Sequence, residues 1–344
     1  MWSFAVVFAS LVAQVPADDV PKAEAKYLAN LKQLTSTFAR AGEGYFSPDG
    51  KSIIFQAEEK GENPFYQQFV MDLKTGAFRR VSPGVGKTTC GFFAPDGKKI
   101  LFASSHLDPE ARKHYAPEIE QRAEEQKSKK RRRYVWDFDP YMEIFEANPD
   151  GSNLKRLTDS KGYDAEGSYS PDGKEIVFCS NRSGPENLEL YIMKADGSNV
   201  RKLTNAPGCY NGGPFFSPDG KKVIFRSDRK KKDHLQLYVI NADGTGERPL
   251  TNDDNWVYWA PYWHQDGKHI IYTAADHADP KARPNYDLYW LNIDDAAAKP
   301  VRITHAPGAD VLPVFSPDGR QLMWTTNRTG TSQLWIADFT TPRE

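Results

Sequence analysis

Four groups of side chains in this 344-residue sequence could do chemistry. Asp276 and His277 are adjacent, and with His106 they could supply an acid–base or ligand-holding group if the chain brought them together. Asp266 and His269 form a second carboxylate–imidazole pair, three residues apart. Trp256, Tyr258, Trp259, Tyr262 and Trp263 crowd one short stretch, offering flat faces for a sugar ring or an apolar peptide side chain. Lys127-Ser128-Lys129-Lys130-Arg131-Arg132-Arg133 places six basic residues in seven and could attract an anionic polymer; the aromatic and acidic stretch Tyr134–Tyr141, with Trp136, follows. No Gly-x-Ser-x-Gly elbow, P-loop, His-Glu-x-x-His or dinucleotide fingerprint is present. Cys90, Cys179 and Cys209 are odd in number and widely spaced, so they read as small, partly buried apolar residues rather than a disulfide or metal framework.

What must position these groups is a repeat. Phe46-Ser47-Pro48-Asp49-Gly50-Lys51 returns at Phe93–Lys98, Tyr169–Lys174, Phe216–Lys221 and Phe315–Arg320, with a degenerate copy at Trp263–Lys268. The six turn aspartates are 47, 76, 47, 47 and 52 residues apart, a period near 47 with one insertion of about 29 residues. Each copy joins an aromatic to a turn in which Pro presets φ and Gly takes the left-handed position. An apolar strand such as Ile176-Val177-Phe178 follows, then an alternating strand such as Leu188–Met193, a second Asp-Gly turn, and a short strand closing on Leu-Thr. Four meandering strands cannot bury both faces alone, but six such sheets packed radially can, which predicts an all-β, six-bladed propeller of four-stranded antiparallel blades. The last copy supplies three strands, and Leu31–Thr35 mimics Val200–Thr204, so the N-terminal strand is expected to complete the sixth blade and remove an open edge.

These copies resemble the repeats of the TolB-like propeller family, which carry the same aromatic-Ser-Pro-Asp-Gly-Lys turn, apolar strand, Leu-Tyr strand and closing Leu-Thr. The resemblance covers residues from about 30 to 340. It implies the fold strongly and the function weakly, since this fold hosts scaffolds, peptidase side domains and lyases. TolB itself carries an extra N-terminal domain for which the repeats leave no room here, which sets a role in the Tol–Pal system in doubt. The apolar run Phe4–Val15, the small residues at Val15-Pro16-Ala17 and the acidic pair Asp18-Asp19 read as an export signal. The expected layout is a signal peptide over 1–17, an N-terminal extension over 18–29, and a propeller over 30–344 with an insertion at 105–141. Pro117 is expected to open a helix to about Gln126, with Tyr115, Ile119 and Ala123 at helical spacing.

In a meander, alternate connections fall on opposite faces. The Ser-Pro-Asp-Gly and second Asp-Gly turns share one face and are stereotyped, whereas the loops leading into each first strand and those between second and third strands share the other and are diverse, which suits binding. The lead-in loops carry Arg40, Glu43, Lys87, Tyr163, Asp164, Glu166, Tyr210, Asn211, Trp256, Tyr258, Trp259 and Asp310 around the mouth of the central channel, where Asp276 and His277 also belong. Asp266 and His269 fall at the turn face, a whole strand from His277, so these cannot share an ion. Asn181-Arg182, Asp228-Arg229 and Asn327-Arg328 recur at one repeat position and are expected to brace a neighbouring blade. The insertion is either a solvated loop whose aromatic end packs back or a cover over the mouth built on Lys129, Lys130, Arg131, Arg132, Arg133 and Trp136. With 45 basic and 46 acidic residues, the chain has no global field for nucleic acid. The expectation is an exported, non-catalytic, monomeric propeller in the periplasm or outside the cell, binding a protein or glycan of the cell envelope through the mouth. No cofactor, metal, nucleic acid or integral membrane segment is expected. A glycan-active enzyme such as a polyuronide lyase, or a propeller partner of a peptidase, stays open as an alternative.

Overall fold

The computed structural model describes Phe8–Ala9 and residues 22–128, 138–279 and 281–343. Six antiparallel sheets follow one another around a ring. Blade 1 holds Arg40–Phe46, Ser52–Glu58, Gln67–Asp72 and Ala77–Arg80, whose last strand also pairs with Phe8–Ala9. Blade 2 holds Thr88–Phe93, Ile100–Ser104, Glu143–Ala147 and Lys155–Arg156. Blade 3 holds Asp164–Tyr169, Glu175–Ser180, Glu189–Lys194 and Arg201–Lys202. Blade 4 holds Asn211–Phe216, Lys222–Ser227, Gln236–Asn241 and Arg248–Pro249. Blade 5 holds Trp256–Trp263, His269–Asp276, Asp287–Asn292 and Val301–Arg302. Blade 6 holds Asp310–Phe315, Gln321–Thr326, Gln333–Phe339 and, from the N-terminal side, Leu28–Gln33.

The closing strand pairs Leu28 with Phe339 and Gln33 with Trp335. It begins three residues before the Leu31–Thr35 segment singled out by the repeat. Just ahead of it, the fully buried Glu24 accepts backbone N–H groups from His305 at 2.6 Å and Ala306 at 3.0 Å and pairs with Arg328 at 3.3 Å. The Leu-Thr signature also has a mechanism. The threonine hydroxyl accepts the N–H of the adjoining third strand at 2.9 Å in five blades, through Thr35, Thr158, Thr204, Thr251 and Thr304. Ser82 does the same in blade 1 at 3.0 Å. Each short outer strand is thus held by a side-chain bond where its ladder is only a few residues long.

The Ser-Pro-Asp-Gly turns repeat one geometry. Ser47, Ser170, Ser217 and Ser316 each donate to the turn aspartate at 2.6–2.7 Å and accept the N–H five residues on at 2.9 Å. The glycines lie at φ between 68° and 72°. Between turn and sheet, the second strands are the driest part of the chain: Ile53, Ile54, Phe55, Ile100, Phe102, Phe178, Phe225, Tyr272 and Trp324 have no exposed surface. Burying such side chains is the main term favouring the ring, at about 1.5–3 kcal/mol each.

The insertion contains the helix Tyr115–Ser128, which starts two residues before Pro117. Pro117 sits in the first turn, where no backbone donor is required. Tyr115 is buried, but Ile119 is 45% exposed and Ala123 is exposed, so the apolar spacing does not mark the docked face. The helix docks instead through Arg122, whose guanidinium reaches Glu58 at 2.7 Å, the Pro64 carbonyl at 2.8 Å and Glu118 at 2.6 Å. This charge-assisted anchor works beside the buried Tyr115, whose ring meets Phe65 at 5.9 Å and whose hydroxyl accepts the Gly86 N–H at 3.0 Å.

The turns make stability depend on acid. Hydrogen bonds from Ser170, then the Lys174 backbone N–H, hold the Asp172 carboxyl down at about 2, and the Ser47 and Ser316 hydroxyls lower Asp49 and Asp318 in the same way. A carboxyl depressed in the folded state stabilises fully above its unfolded value near 4, and that contribution is lost as pH falls toward 2. Asp172→Asn should lower the melting temperature at pH 7, and the gap to the parent protein should close in scans taken toward pH 2; a gap independent of pH would contradict this origin.

Candidate binding site at the channel mouth

The six innermost strands share a bulge that faces the axis. At Glu43, Cys90, Glu166, Gly213, Ala260 and Leu312 the backbone turns left-handed, with φ from 45° to 57°, and the pairing of first and second strands slips there in every blade. The next residue is always Gly or Pro: Gly44, Gly91, Gly167, Pro214, Pro261 and Pro313. A Cβ at Gly44 would stand 3.0 Å from Met323 Cε, and one at Gly167 2.8 Å from Leu101 Cδ2, so the small residue lets each blade approach its predecessor. Five non-glycine residues in this conformation repeat a strained geometry that the packed ring must hold.

Two positions further along four of these strands, Tyr45, Phe92, Phe215 and Tyr262 meet across the axis, where blades 3 and 6 carry Ser168 and Val314. Tyr45 lies 5.2 Å from Phe92, 5.6 Å from Phe215 and 6.2 Å from Tyr262, ring centre to ring centre, and Phe215 lies 5.1 Å from Tyr262. Blades 1 and 4 oppose each other, so the Tyr45–Phe215 contact spans the channel. The rings form a floor on the turn side, beneath the bulge residues. The axis is therefore a cup that opens toward the lead-in loops.

Its wall is asymmetric. Glu43, Cys90 and Glu166 come from blades 1 to 3, and Gly213, Ala260 and Leu312 oppose them. Arg226, on the second strand of blade 4, donates to both oxygens of Glu166 at 3.1 Å and to the Tyr210 hydroxyl at 2.6 Å. Glu166 also accepts the Gly213 N–H and the Tyr210 hydroxyl. All three side chains are buried. Gly213 leaves the room: a Cβ there would lie 2.2 Å from Arg226 Nη1. Burial opposes the Arg226 charge, but the Glu166 carboxylate outweighs it. Glu43 is half-buried, touches the Tyr45 hydroxyl at 3.3 Å, and has its backbone N–H held by Thr325 Oγ1 at 3.0 Å. Burial first, then the Glu166 carboxylate, raises the Glu43 carboxyl. Burial, then Glu43 and Glu166, pushes the Cys90 thiol well up, away from thiolate.

The other mouth residues are distributed around this cup. Asp164, Asn211 and Asp310 are buried at the start of their strands and bind Arg182 at 2.9 Å, Arg229 at 2.6 Å and Arg328 at 3.0 Å. Each arginine also lies over aromatic rings of its own sheet, such as Arg328 over Trp324 and Trp335 at 5.4 and 5.6 Å. The recurring arginines therefore brace their own blades, not the neighbouring ones, because each follows the second strand and its partner begins the adjoining first strand of the same sheet. Tyr210 is likewise committed, to Glu166 and Arg226. Lys87 pairs with Asp139 at 3.3 Å, and Phe138 meets Tyr163 edge-on at 5.5 Å, so the far end of the insertion returns over blades 2 and 3. Lys129, Lys130, Arg131, Arg132, Arg133 and Trp136 lie outside the described residues. On blade 5, Trp256 stacks on Tyr258 at 6.1 Å, Trp259 meets Tyr286 at 6.4 Å, and all four are half-buried. His277 bonds the Tyr286 hydroxyl at 3.0 Å beside an exposed Asp276. His106 packs on Phe145 at 4.5 Å in blade 2, on the opposite side of the ring, so His106 and His277 do not meet. His269 and His264 both bind Asp266 at the turn face, at 2.6 and 3.0 Å. Among the described residues, no group of three or more His, Cys, Asp or Glu could hold a metal ion, and no helix is long and apolar enough to cross a membrane.

A closed ring of six four-stranded blades with a blind axial cup defines the class: a six-bladed β-propeller. The TolB β-propeller domain family matches residues 185–283, from the loop before the third strand of blade 3 into the loop after the second strand of blade 5. The Tol-Pal system protein TolB of Bordetella pertussis is 42% identical over 50 residues, covering 14% of this chain and only 11% of the relative's own length. The crystal structure of TolB from Acinetobacter baumannii superposes with a TM-score of 0.56 at 19% identity, over 90% of this chain and 66% of that one. An oligogalacturonate lyase from Vibrio parahaemolyticus gives the same score at 15% identity over 98% of both chains. The chain is therefore a six-bladed β-propeller similar in fold to these structures, with its sequence match to the TolB β-propeller domain confined to residues 185–283.

The axial ion pair should behave as one unit. Arg226→Met leaves Glu166 buried and uncompensated and should cost about 3–5 kcal/mol in urea unfolding. Adding Glu166→Gln, which keeps an acceptor for the Gly213 N–H, should recover more than half of that loss. A double variant no more stable than the single one would contradict the coupling.

Proposed function

We propose that this protein is an exported, non-catalytic binding propeller that holds a protein or glycan partner in the cell envelope through its mouth face. The observation that carries the reading is the contrast between the two faces. The turn face repeats one serine–aspartate geometry in four of the six blades, whereas the mouth face differs at every blade and receives both described flanks of the insertion. Diversity confined to one rim of a rigid scaffold is the pattern of a recognition surface. Half-buried Trp256 and Trp259 supply aromatic area there, with Asp276 and His277 beside them. The mouth carboxylates Asp164 and Asp310 are occupied by structural arginines, which favours binding over chemistry at those positions. The named function of the matched relatives, in the Tol-Pal system, is compatible with an envelope partner. The apolar start of the chain supports export to the periplasm or beyond.

The test is capture from an envelope extract on immobilised protein. Trp259→Ala should reduce retention of the captured partner at least about tenfold, the size expected for a central aromatic anchor. Lys221→Glu, on the turn face, should leave retention unchanged. Equal retention by all three proteins, or loss only in the turn-face variant, would overturn the face assignment, and release of unsaturated products from acidic oligosaccharides would replace binding with lyase activity.

A further inference from the structure

Beyond the rim, the cup on the axis has its own chemistry. Its floor is the aromatic cluster of Tyr45, Phe92, Phe215 and Tyr262, closed by ring contacts of 5.1–6.2 Å. Above the floor stand two carboxylates in unequal states. Glu166 is neutralised by Arg226 at 3.1 Å. Glu43 makes no ion pair among the described residues; its contacts are the Tyr45 hydroxyl, the Cys90 thiol and, through its backbone, Thr325, while Arg226 acts on it only at longer range. Yet it is half-buried, so solvent or a ligand reaches it. The facing wall is Ala260 and Leu312, with the Arg226 guanidinium, already bound to Glu166, in the space beside Gly213. A carboxyl with no ion-pair partner, which burial and Glu166 hold toward its neutral form and a nearby cation would ionise, stands above π faces and beside Leu312 and Ala260, and so is complementary to a single organic cation on an apolar stem.

We propose that the axial cup receives a basic side chain, lysine or arginine, from the bound partner, with its charged tip at Glu43 and its stem along Leu312 and Ala260. This rests on the reading of the mouth as a binding face and deepens it by naming what the partner inserts. A neutral or acidic group would leave Glu43 desolvated without compensation. Access comes from the mouth alone, because the aromatic floor closes the turn side. An elongated side chain entering tip first satisfies both conditions.

Titration calorimetry with two probes of equal shape tests the proposal: Nα-acetyl-arginine amide and Nα-acetyl-citrulline amide, which lacks the charge. The arginine probe should bind at least about tenfold more tightly. Glu43→Gln should abolish that preference while melting within a few degrees of the parent protein. Leu312→Arg, which supplies a guanidinium from the opposite wall, should abolish binding of the arginine probe while folding normally. Equal affinity for the two probes, no saturable binding of either, or an undiminished preference in Glu43→Gln would overturn the proposal. The two readings separate in the extract experiment: if Trp259→Ala loses the partner and Glu43→Gln keeps it fully, the mouth is a binding face and the cup does not take a basic side chain.

Discussion

The pairing of Leu28–Gln33 with Gln333–Phe339 is the contact on which the rest depends. A propeller blade buries its faces only against neighbours, so a ring open at one seam would expose the edges of blades 6 and 1 together. The closing strand joins chain segments some three hundred residues apart, and its Thr35 hydroxyl accepts the Leu334 N–H at the seam. Blade 6 in turn reaches the axis of blade 1: Thr325 holds the Glu43 N–H, and a Cβ at Gly42 would press on Thr325 Oγ1 at 3.0 Å. The wall of the cup therefore inherits its position from the closure.

Repetition supplies the scaffold, and departures from repetition supply the chemistry. The left-handed bulge recurs six times with nearly the same φ, yet its side chains are two glutamates, a cysteine, a glycine, an alanine and a leucine. Within each second strand, the position after the apolar triplet holds Gln56, Ala103, Cys179, Arg226, Thr273 and Thr325. Three of these hold the bulge N–H of the following blade: Thr325 for Glu43, Thr273 for Leu312 and Gln56 for Cys90. Arg226 cannot accept a hydrogen bond, so it serves Glu166 instead, in the space that Gly213 vacates. Identical backbones thus yield a charged half-ring facing an apolar one.

Much of the fold was legible because its signals are local. Aromatic-Ser-Pro-Asp-Gly-Lys encodes a turn whose hydrogen bonds stay within six residues, and Leu-Thr encodes a cap within one blade. The cup was less legible. Glu43 and Glu166 stand out as acids near the mouth, but Arg226 lies in what reads as an apolar strand, and its link to Glu166 spans sixty residues. The doubled aromatics Tyr45-Phe46, Phe92-Phe93, Phe215-Phe216 and Tyr262-Trp263 were a visible sign of the floor: one ring of each pair packs between blades and the other turns to the axis. The docked face of the insertion helix misled for a different reason. Its apolar spacing is real, but Arg122 finds Glu58 and the Pro64 carbonyl, and such ionic anchors leave no periodic trace.

Closure can be measured directly by native-state hydrogen exchange. Backbone amides of Leu28–Gln33 and Gln333–Phe339 should exchange together, at the slow rate of the fully buried second strands, because opening one seam opens the ring. Fast, independent exchange of Leu28–Gln33 while the second strands stay protected would contradict a ring sealed by its own beginning, and with it the fixed geometry of the axial wall.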